Sequence, residues 1–213
     1  MEIKKDWKLN AKVSRDEYIS MYKNSIDEND NYWKKQGKRI DWIKNYTKIK
    51  DIKYSGNEVS IKWFYDGTLN VSANCVDRHA KNNPNKIAII WEGDDPNNVE
   101  KISYKELLDH VCKTANALKK IGVNKGDRVT IYLTMIPQLA YVMLACSRIG
   151  AIHSIIFGGF SSDSIAGRIK DCNSEYIITA DEGIRGGKII PLKQIVDKAL
   201  EKCPNIKKCV LVK

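Results

Sequence analysis

The stretch Arg128–Lys188, RVTIYLTMIPQLAYVMLACSRIGAIHSIIFGGFSSDSIAGRIKDCNSEYIITADEGIRGGK, decides the fold. It opens on an apolar run, Arg128–Leu133, that reads as a strand. Pro137 is suited to the first position of the next helix, where its missing N–H costs nothing. That helix, Gln138–Ile149, is apolar nearly all round (Leu139, Ala140, Val142, Met143, Leu144, Ala145, Cys146), so it is expected to be sandwiched inside a domain. Gly150 ends it, and Ala151–Phe157 forms a strand. A helix from about Asp163 to Cys172 follows, then a strand over Tyr176–Ala180. Strands alternating with helices, each strand continuously apolar, predict an α/β fold: a parallel sheet with flanking helices joined by crossovers.

Downstream, the 3–4 spacing of Leu192, Ile195, Val196, Ala199, Leu200 and Cys203 predicts a helix from Pro191. Cys209–Val212 is a last strand. No helix follows to cover it, and the chain is expected to be the front part of something longer. Upstream, Ser103 and Glu106 have capping-box spacing. They open a helix with a core-facing stripe of Tyr104, Leu107, Leu108, Val111, Ala115 and Leu118 that stops near Gly122. Ile87–Trp91 and Lys101–Tyr104 are short apolar runs separated by the turn-rich segment Glu92–Pro96. Within Asn70–His79, Ser72 or Asn70 can cap a short helix whose inner face is Cys75, Val76 and His79.

The first part of the chain has a different character. Ser14 and Glu17 form another capping box, and Tyr18, Met21, Tyr22 and Ser25 mark one helical face. A second helix is expected over Asn29–Asn45, with Tyr32, Trp33, Ile40 and Ile43 on its apolar side. Residues 50–70 read as irregular or hairpin-like, with Ile61–Tyr65 strand-like and Asp66-Gly67 a turn signal. The expected division is a helical extension over residues 1–65 and an α/β region over residues 66–213.

Composition narrows the function classes. Among 213 residues, 36 Lys and Arg stand against 26 Asp and Glu, giving a net charge of +10. Such an excess attracts polyanions. Lysine, isoleucine and asparagine are abundant throughout, however, and no basic stripe is interleaved with aromatics as nucleic-acid binding would require. Nucleic acid is therefore not an expected partner. The start, MEIKKDWKLN, has no apolar run of a signal peptide, and the most apolar stretch, Leu139–Phe160, is broken by Arg148, His153 and glycines, so no membrane span is expected. The six cysteines are scattered with no CxxC pair, which predicts reduced thiols in a cytoplasmic protein. The three isolated histidines (His79, His110, His153) lack metal-ligand spacing.

Neither standard nucleotide loop is present. Gly158-Gly159-Phe160-Ser161-Ser162-Asp163 fails the GxGxxG pattern, and Gly187-Lys188-Ile189 fails the P-loop pattern. A looser anion chemistry remains. Gly158-Gly159 removes side chains where a ligand or backbone must come close, and the helix beginning at Ser161, Ser162 and Asp163 offers free N–H groups, partly neutralised by Asp163. A tight strand-to-helix turn is an equally good account of those glycines. Further on, Arg185-Gly186-Gly187-Lys188 sets two cations around a glycine pair. Arginine can grip a phosphate with two parallel bonds, and lysine adds a point charge. Both loops follow strands of one parallel sheet, the edge where such folds bind ligands.

Four blocks carry a resemblance to a known family: Asn70–His79 (NVSANCVDRH), Ile89–Asp94 (IIWEGD), Met135–Gly167 (MIPQLAYVMLACSRIGAIHSIIFGGFSSDSIAG) and Ile178–Lys188 (ITADEGIRGGK). Over nearly all of residues 14–213 the chain resembles the N-terminal part of the AMP-forming acetyl-CoA synthetases, members of the adenylate-forming, acyl-activating superfamily. The resemblance implies the N-terminal subdomain of the adenylate-forming fold preceded by a helical extension. It also implies a two-step ligase reaction. ATP and acetate give acetyl-adenylate and diphosphate, and the CoA thiol then displaces AMP. ATP and CoA enter as substrates, with Mg2+ implied by the family alone and no site for it in this chain.

Residue by residue, Arg185, Gly186, Gly187 and Lys188 fall on the family segment that grips the phosphates of CoA. Phe157, Gly158 and Gly159 fall beside the CoA adenine. The family commonly has arginine where Lys188 stands, so the charge is kept but the two-pronged grip is lost. The family's Ser/Thr/Gly-rich phosphate loop, acetate-pocket tryptophan and catalytic lysine are not among these 213 residues. No catalytic residue is therefore assigned, and the chain alone is expected to be inactive. The alternatives are a non-catalytic CoA- or anion-binding module, or a subunit of a split synthetase that works with a complementing downstream polypeptide.

Overall fold

A computed structural model describes residues 4–213. They form two compact units, one ending at Leu69 and one over Asn70–Lys213. The first contains the helices α1 (Lys5–Asn10), α2 (Arg15–Asp27) and α3 (Asn29–Gly37) and the strands β1 (Lys50–Ser55) and β2 (Glu58–Trp63). Helix α2 starts on the expected capping box: Ser14 Oγ accepts from Glu17 N at 3.2 Å, and Ser14 N donates to Glu17 Oε2 at 2.7 Å.

The helix expected over Asn29–Asn45 stops at Gly37 instead. Two downstream aromatic side chains take carbonyls that the next helical turn would have used. Trp42 Nε1 donates to Gly37 O at 2.8 Å, and Tyr46 Oη donates to Lys34 O at 2.6 Å. The Tyr46 ring lies over Gly37, where a methyl group would come within 2.6 Å of its hydroxyl. Trp33, Trp42, Tyr46, Trp63 and Phe64 form a chain of rings with neighbouring centroids 4.6–6.0 Å apart. Edge-to-face contacts of this kind stabilise beyond the area they bury.

Residues 1–65 are thus not a purely helical extension, because β1 and β2 pair antiparallel from Lys50↔Trp63 to Ser55↔Glu58. The hairpin turns at Gly56-Asn57, and Asp66 lies in a second turn, closed where Gly67 N donates to Phe64 O at 3.0 Å. The Asp66 carboxylate accepts from Thr47 N, Lys48 N and Thr47 Oγ1 and so closes the loop that leads into β1. The Thr47 hydroxyl, with help from the two backbone donors, lowers the Asp66 pKa to about 2.

A carboxyl whose folded pKa lies below its ordinary 3.8 adds stability that is complete above that value and is lost as the pH falls toward about 2. Thermal unfolding followed through the near-UV signal of the Trp and Tyr cluster should show this loss over that window. Asp66→Asn should be less stable at neutral pH and should lose less on acidification. An unchanged acid profile in the variant would contradict the assignment.

The second unit begins with a capped turn. Asn70 Oδ1 accepts from Ala73 N at 3.0 Å, so Asn70 rather than Ser72 caps the π-helical turn Ala73–Asp77, which runs into α4 (Arg78–Asn82). Of the inner face expected there, Val76 is buried but Cys75 is exposed. His79 packs its ring against Tyr104 at 4.9 Å. Arg148 holds Asp77 with two parallel bonds of 2.6 and 2.7 Å, and the Asn70 amide donates to Arg148 O at 3.0 Å.

Strands β3 (Ile87–Glu92) and β4 (Val99–Ser103) then pair antiparallel as a separate hairpin. The capping box at Ser103 and Glu106 opens α5 (Tyr104–Lys120), which buries Leu107, Val111, Ala115 and Leu118. The remaining elements are β5 (Arg128–Leu133), α6 (Pro137–Ile149), β6 (Ile152–Phe157), α7 (Ser162–Asp171), β7 (Tyr176–Ala180), β8 (Gly183–Arg185), β9 (Lys188–Ile190), α8 (Leu192–Leu200) and β10 (Lys208–Val212). Pro137 is the first residue of α6, and no residue of that helix is exposed.

The central sheet is parallel, in the order β10–β7–β5–β6, with α5 packed on α6 and α7 on α8. Val129, Ile131, Tyr132, Ile177 and Ile178 are essentially inaccessible. Each such side chain contributes roughly 1.5–3 kcal/mol through burial. Both edge strands depart from the expectation of full burial, and β10 leaves Leu211 exposed. β6 lies at the sheet edge and leaves Ile152, Ile155 and Phe157 exposed.

Strand register sets where the connecting loops leave the sheet. Leu133 pairs with Phe157, and Tyr132 pairs with Thr179. The carboxyl ends of β5, β6 and β7 therefore finish level, and their three loops leave from one edge.

Candidate functional site

Those three loops bring the sequence-predicted residues together. After β6 the chain turns tightly: Gly159 N and Phe160 N both donate to Phe157 O, at 2.7 and 3.1 Å. Phe160 O accepts at 3.0 Å from the hydroxyl of Tyr132, a fully buried residue of the central strand. Burial also raises the Tyr132 pKa, so it stays a neutral donor. Gly158 is a close-approach position, since a methyl group there would meet Leu133 O at 3.0 Å.

After β7 the chain forms the β8–β9 hairpin, with Gly183 opposite Ile190 and Arg185 directly opposite Lys188. The two central residues of its turn, Gly186 and Gly187, have φ of +56° and +72°. Positive φ at both positions is what a two-residue hairpin turn of matching twist demands, and glycine meets it without strain.

The hairpin and the β6 loop touch. The Arg185 guanidinium carbon lies 5.3 Å from the centre of the Phe157 ring, a cation–π distance. A methyl group on Gly159 would meet Phe157 at 3.3 Å and Arg185 Nη1 at 3.8 Å, so Gly159 lies beside both. Phe157 also stands 6.1 Å from Phe160, whose ring has the Arg168 guanidinium 5.3 Å from its centre. Phe157 is 55% exposed, with the Arg185 guanidinium against its ring. Lys188 projects from the strand opposite Arg185, and like charges directly across a strand pair repel. An anion between them removes that cost.

The free N–H groups at the start of α7 contribute less than expected. Ser161 Oγ accepts from Ser164 N at 3.3 Å, and Asp163 is paired with Lys202, which lowers its pKa. His153, half-buried on β6, has its pKa lowered by burial and stays uncharged. Among the described residues, no three His, Cys, Asp or Glu side chains gather to hold a metal ion, and no helix is long and apolar enough to cross a membrane.

Sequence reasoning missed the residues that clamp these loops. Thr134, the first residue after β5, presents Cγ2 to both glycine loops. A methyl group on Gly158 would meet it at 3.3 Å, and one on Gly183 would fall far inside van der Waals contact. Trp91 Nε1 donates to Met135 O at 2.6 Å and ties β3 to the same loop. Asp94 accepts from the N–H groups of Gly186 and Gly187. All three contacts join residues far apart in the chain. Only the IIWEGD block, which contains Trp91 and Asp94, marked two of them beforehand.

Comparison with known proteins agrees with this fold and its block pattern. The family profile described as "AMP-binding enzyme" matches residues 76–213, and the one described as "Acetyl-coenzyme A synthetase N-terminus" matches residues 18–75. The chain belongs to the AMP-binding enzyme family.

Within it, the chain is similar to the N-terminal part of acetyl-coenzyme A synthetases. It is 58% identical to that of Parvibaculum lavamentivorans over 208 residues, covering 98% of this chain and 32% of the relative. It is 59% identical to that of Mesorhizobium japonicum over 195 residues, covering 92% of this chain and 30% of the relative. The chain thus spans about a third of the length of the curated relatives it matches. Among solved structures, acetoacetyl-CoA synthetase from Streptomyces lividans superposes with a TM-score of 0.81 at 24% identity, over 91% of this chain and 30% of that one. That likeness shows the α/β adenylate-forming fold.

The clamp at Thr134 yields a test. Gly183→Ala should destabilise the chain by about 1–3 kcal/mol, the usual cost of overpacking. Adding Thr134→Ser removes Cγ2 and should restore part of that loss. Thermal melts of the two single variants and the double variant decide the matter. If the two losses simply add, Thr134 and Gly183 do not pack as described.

Proposed function

We propose that this chain supplies the CoA-binding wall of an AMP-forming acetate–CoA ligase. The observation that carries the proposal is the contact of Arg185 with Phe157, with Lys188 directly across the two-glycine turn. Phe157 offers its exposed side chain to the adenine, and Gly158 and Gly159 let that base approach. Arg185 and Lys188 bind phosphate oxygens, and Gly186 and Gly187 hold the turn that spaces the two cations. A charge-assisted hydrogen bond of this kind is worth roughly 1.5–3 kcal/mol when shielded from water and much less when exposed. The mutual repulsion of Arg185 and Lys188 adds to the gain, because the anion relieves it.

In the whole reaction, acetate attacks the α-phosphorus of ATP to give acetyl-adenylate and release diphosphate, a step for which Mg2+ is a family expectation. The CoA sulfur then forms a bond to the acetyl carbon, the carbon–oxygen bond to AMP breaks, and the thiol proton is lost. This chain's residues hold CoA for the second step. The family segments that handle ATP and acetate are not among these 213 residues. Adenylation therefore needs polypeptide beyond them, whether continuous with this chain or a separate complementing one. The scattered, unpaired cysteines support a cytoplasmic setting. The same wall without that complement would be a CoA-binding module only.

Two measurements check the proposal. Acetate-dependent exchange of label between diphosphate and ATP should be absent with the 213-residue chain; measurable exchange contradicts it. Calorimetric titration with CoA should show binding that Arg185→Ala abolishes and that Lys188→Arg strengthens several-fold through a second parallel bond. No binding by the unmodified chain would overturn the CoA assignment.

A further inference from the structure

The turn between β8 and β9 is already holding an anion, and that anion belongs to the protein. Gly186 N donates to Asp94 Oδ1 and Gly187 N to Asp94 Oδ2, each at 2.8 Å, across sequence separations of 92 and 93 residues. Successive N–H groups in left-handed conformation converge on a concavity suited to a negatively charged oxygen. Here each carboxylate oxygen takes one donor.

Asp94 is presented from a loop that is itself fixed. Gly93 N donates to Asn98 O at 2.8 Å, Asn98 N to Asp95 O at 2.9 Å and Asn97 N to Asp95 Oδ1 at 2.9 Å. Trp91, at the root of the same loop, is bonded to Met135 O.

With the backbone donors occupied, a ligand phosphate at this hairpin is left to the side chains of Arg185 and Lys188. In addition, β8 and β9 have three residues each and form a sheet of their own. An isolated two-stranded hairpin is marginal in water, so the tip depends on an outside tether for its order.

We propose that Asp94 is a positioning residue for the anion site. By filling the Gly186–Gly187 concavity it fixes the hairpin tip, so that Arg185 stays on Phe157 and Lys188 stays opposite it, ready for a phosphorylated nucleotide such as CoA. Its negative charge also offsets the repulsion between the two cations while the site is empty. The proposal rests on the CoA assignment above for its ligand. Asparagine cannot replace Asp94, because one of its two positions is an NH2 group that would face an N–H. Glutamate keeps both acceptors but displaces them by one methylene.

The test uses the 213-residue chain, unmodified and as Asp94→Ala, Asp94→Asn and Asp94→Glu, with two readouts. In amide NMR spectra, the Gly186 and Gly187 signals of the unmodified chain should lie downfield and exchange slowly with solvent. In the Ala and Asn variants they should move upfield and exchange faster, while the amides of β5 and β7 stay in place and report an intact core. Calorimetry with CoA should show about tenfold weaker binding for those two variants, equivalent to the loss of one charge-assisted bond, and partial recovery for Asp94→Glu. If the unmodified chain binds CoA and Asp94→Ala and Asp94→Asn bind it equally well, or if the two glycine signals do not move, the positioning role is overturned and the CoA assignment stands. If the unmodified chain binds no CoA, both fall. Should Asp94→Ala fail to fold, the nearly isosteric Asp94→Asn carries the comparison.

Discussion

The level ending of three parallel strands, with Thr134 wedged where they end, is the constraint on which the rest depends. Leu133 and Phe157 are paired in register, and Tyr132 is paired with Thr179. Three loops must therefore leave the sheet close to one another. Thr134 lies against Gly158 on one side and Gly183 on the other. A side chain at Gly183 would fall far inside van der Waals contact with Thr134, so the Thr134 side chain or the hairpin would have to shift. The site is thus a product of sheet register first and of side-chain chemistry second.

Around that clamp the buried and exposed parts divide the work. Tyr132 runs through the core and fastens Phe160 O from below. Trp91 and Asp94 reach in from the β3–β4 hairpin and fasten the neighbouring loops from outside. Phe157, Arg185 and Lys188 remain exposed. Rigid support beneath exposed, charged groups suits a surface that binds a large, flexible anion reversibly. It suits less well a buried pocket in which bonds are made and broken. This division accords with the proposed role of the chain as a wall that holds CoA.

Much of the second unit was legible in the sequence because local rules agree with the tertiary outcome there. The strands Arg128–Leu133 and Tyr176–Ala180 are continuous apolar runs, Pro137 does begin its helix, and both Ser-x-x-Glu boxes cap theirs. The failures are all non-local. α3 ends at Gly37 because Trp42 and Tyr46, farther along the chain, capture its carbonyls. β6 reads as a buried strand, yet its position at the sheet edge exposes Ile152 and Ile155. At the site, Arg185, Phe157 and the glycine pairs stood out by residue type. Asp94 and Thr134 did not, since their roles exist only once residues far apart in sequence are brought together.

Whether the β6 loop and the β8–β9 hairpin form one CoA surface is decided by amide NMR mapping of CoA onto the 213-residue chain. On titration the largest shifts should fall on two segments only, Phe157–Phe160 and Arg185–Lys188. Smaller shifts should reach Asp94 and Thr134, and the α5 and α8 surfaces should remain silent. Shifts centred on any other surface, or none at saturating CoA, would contradict a CoA wall built from these two loops.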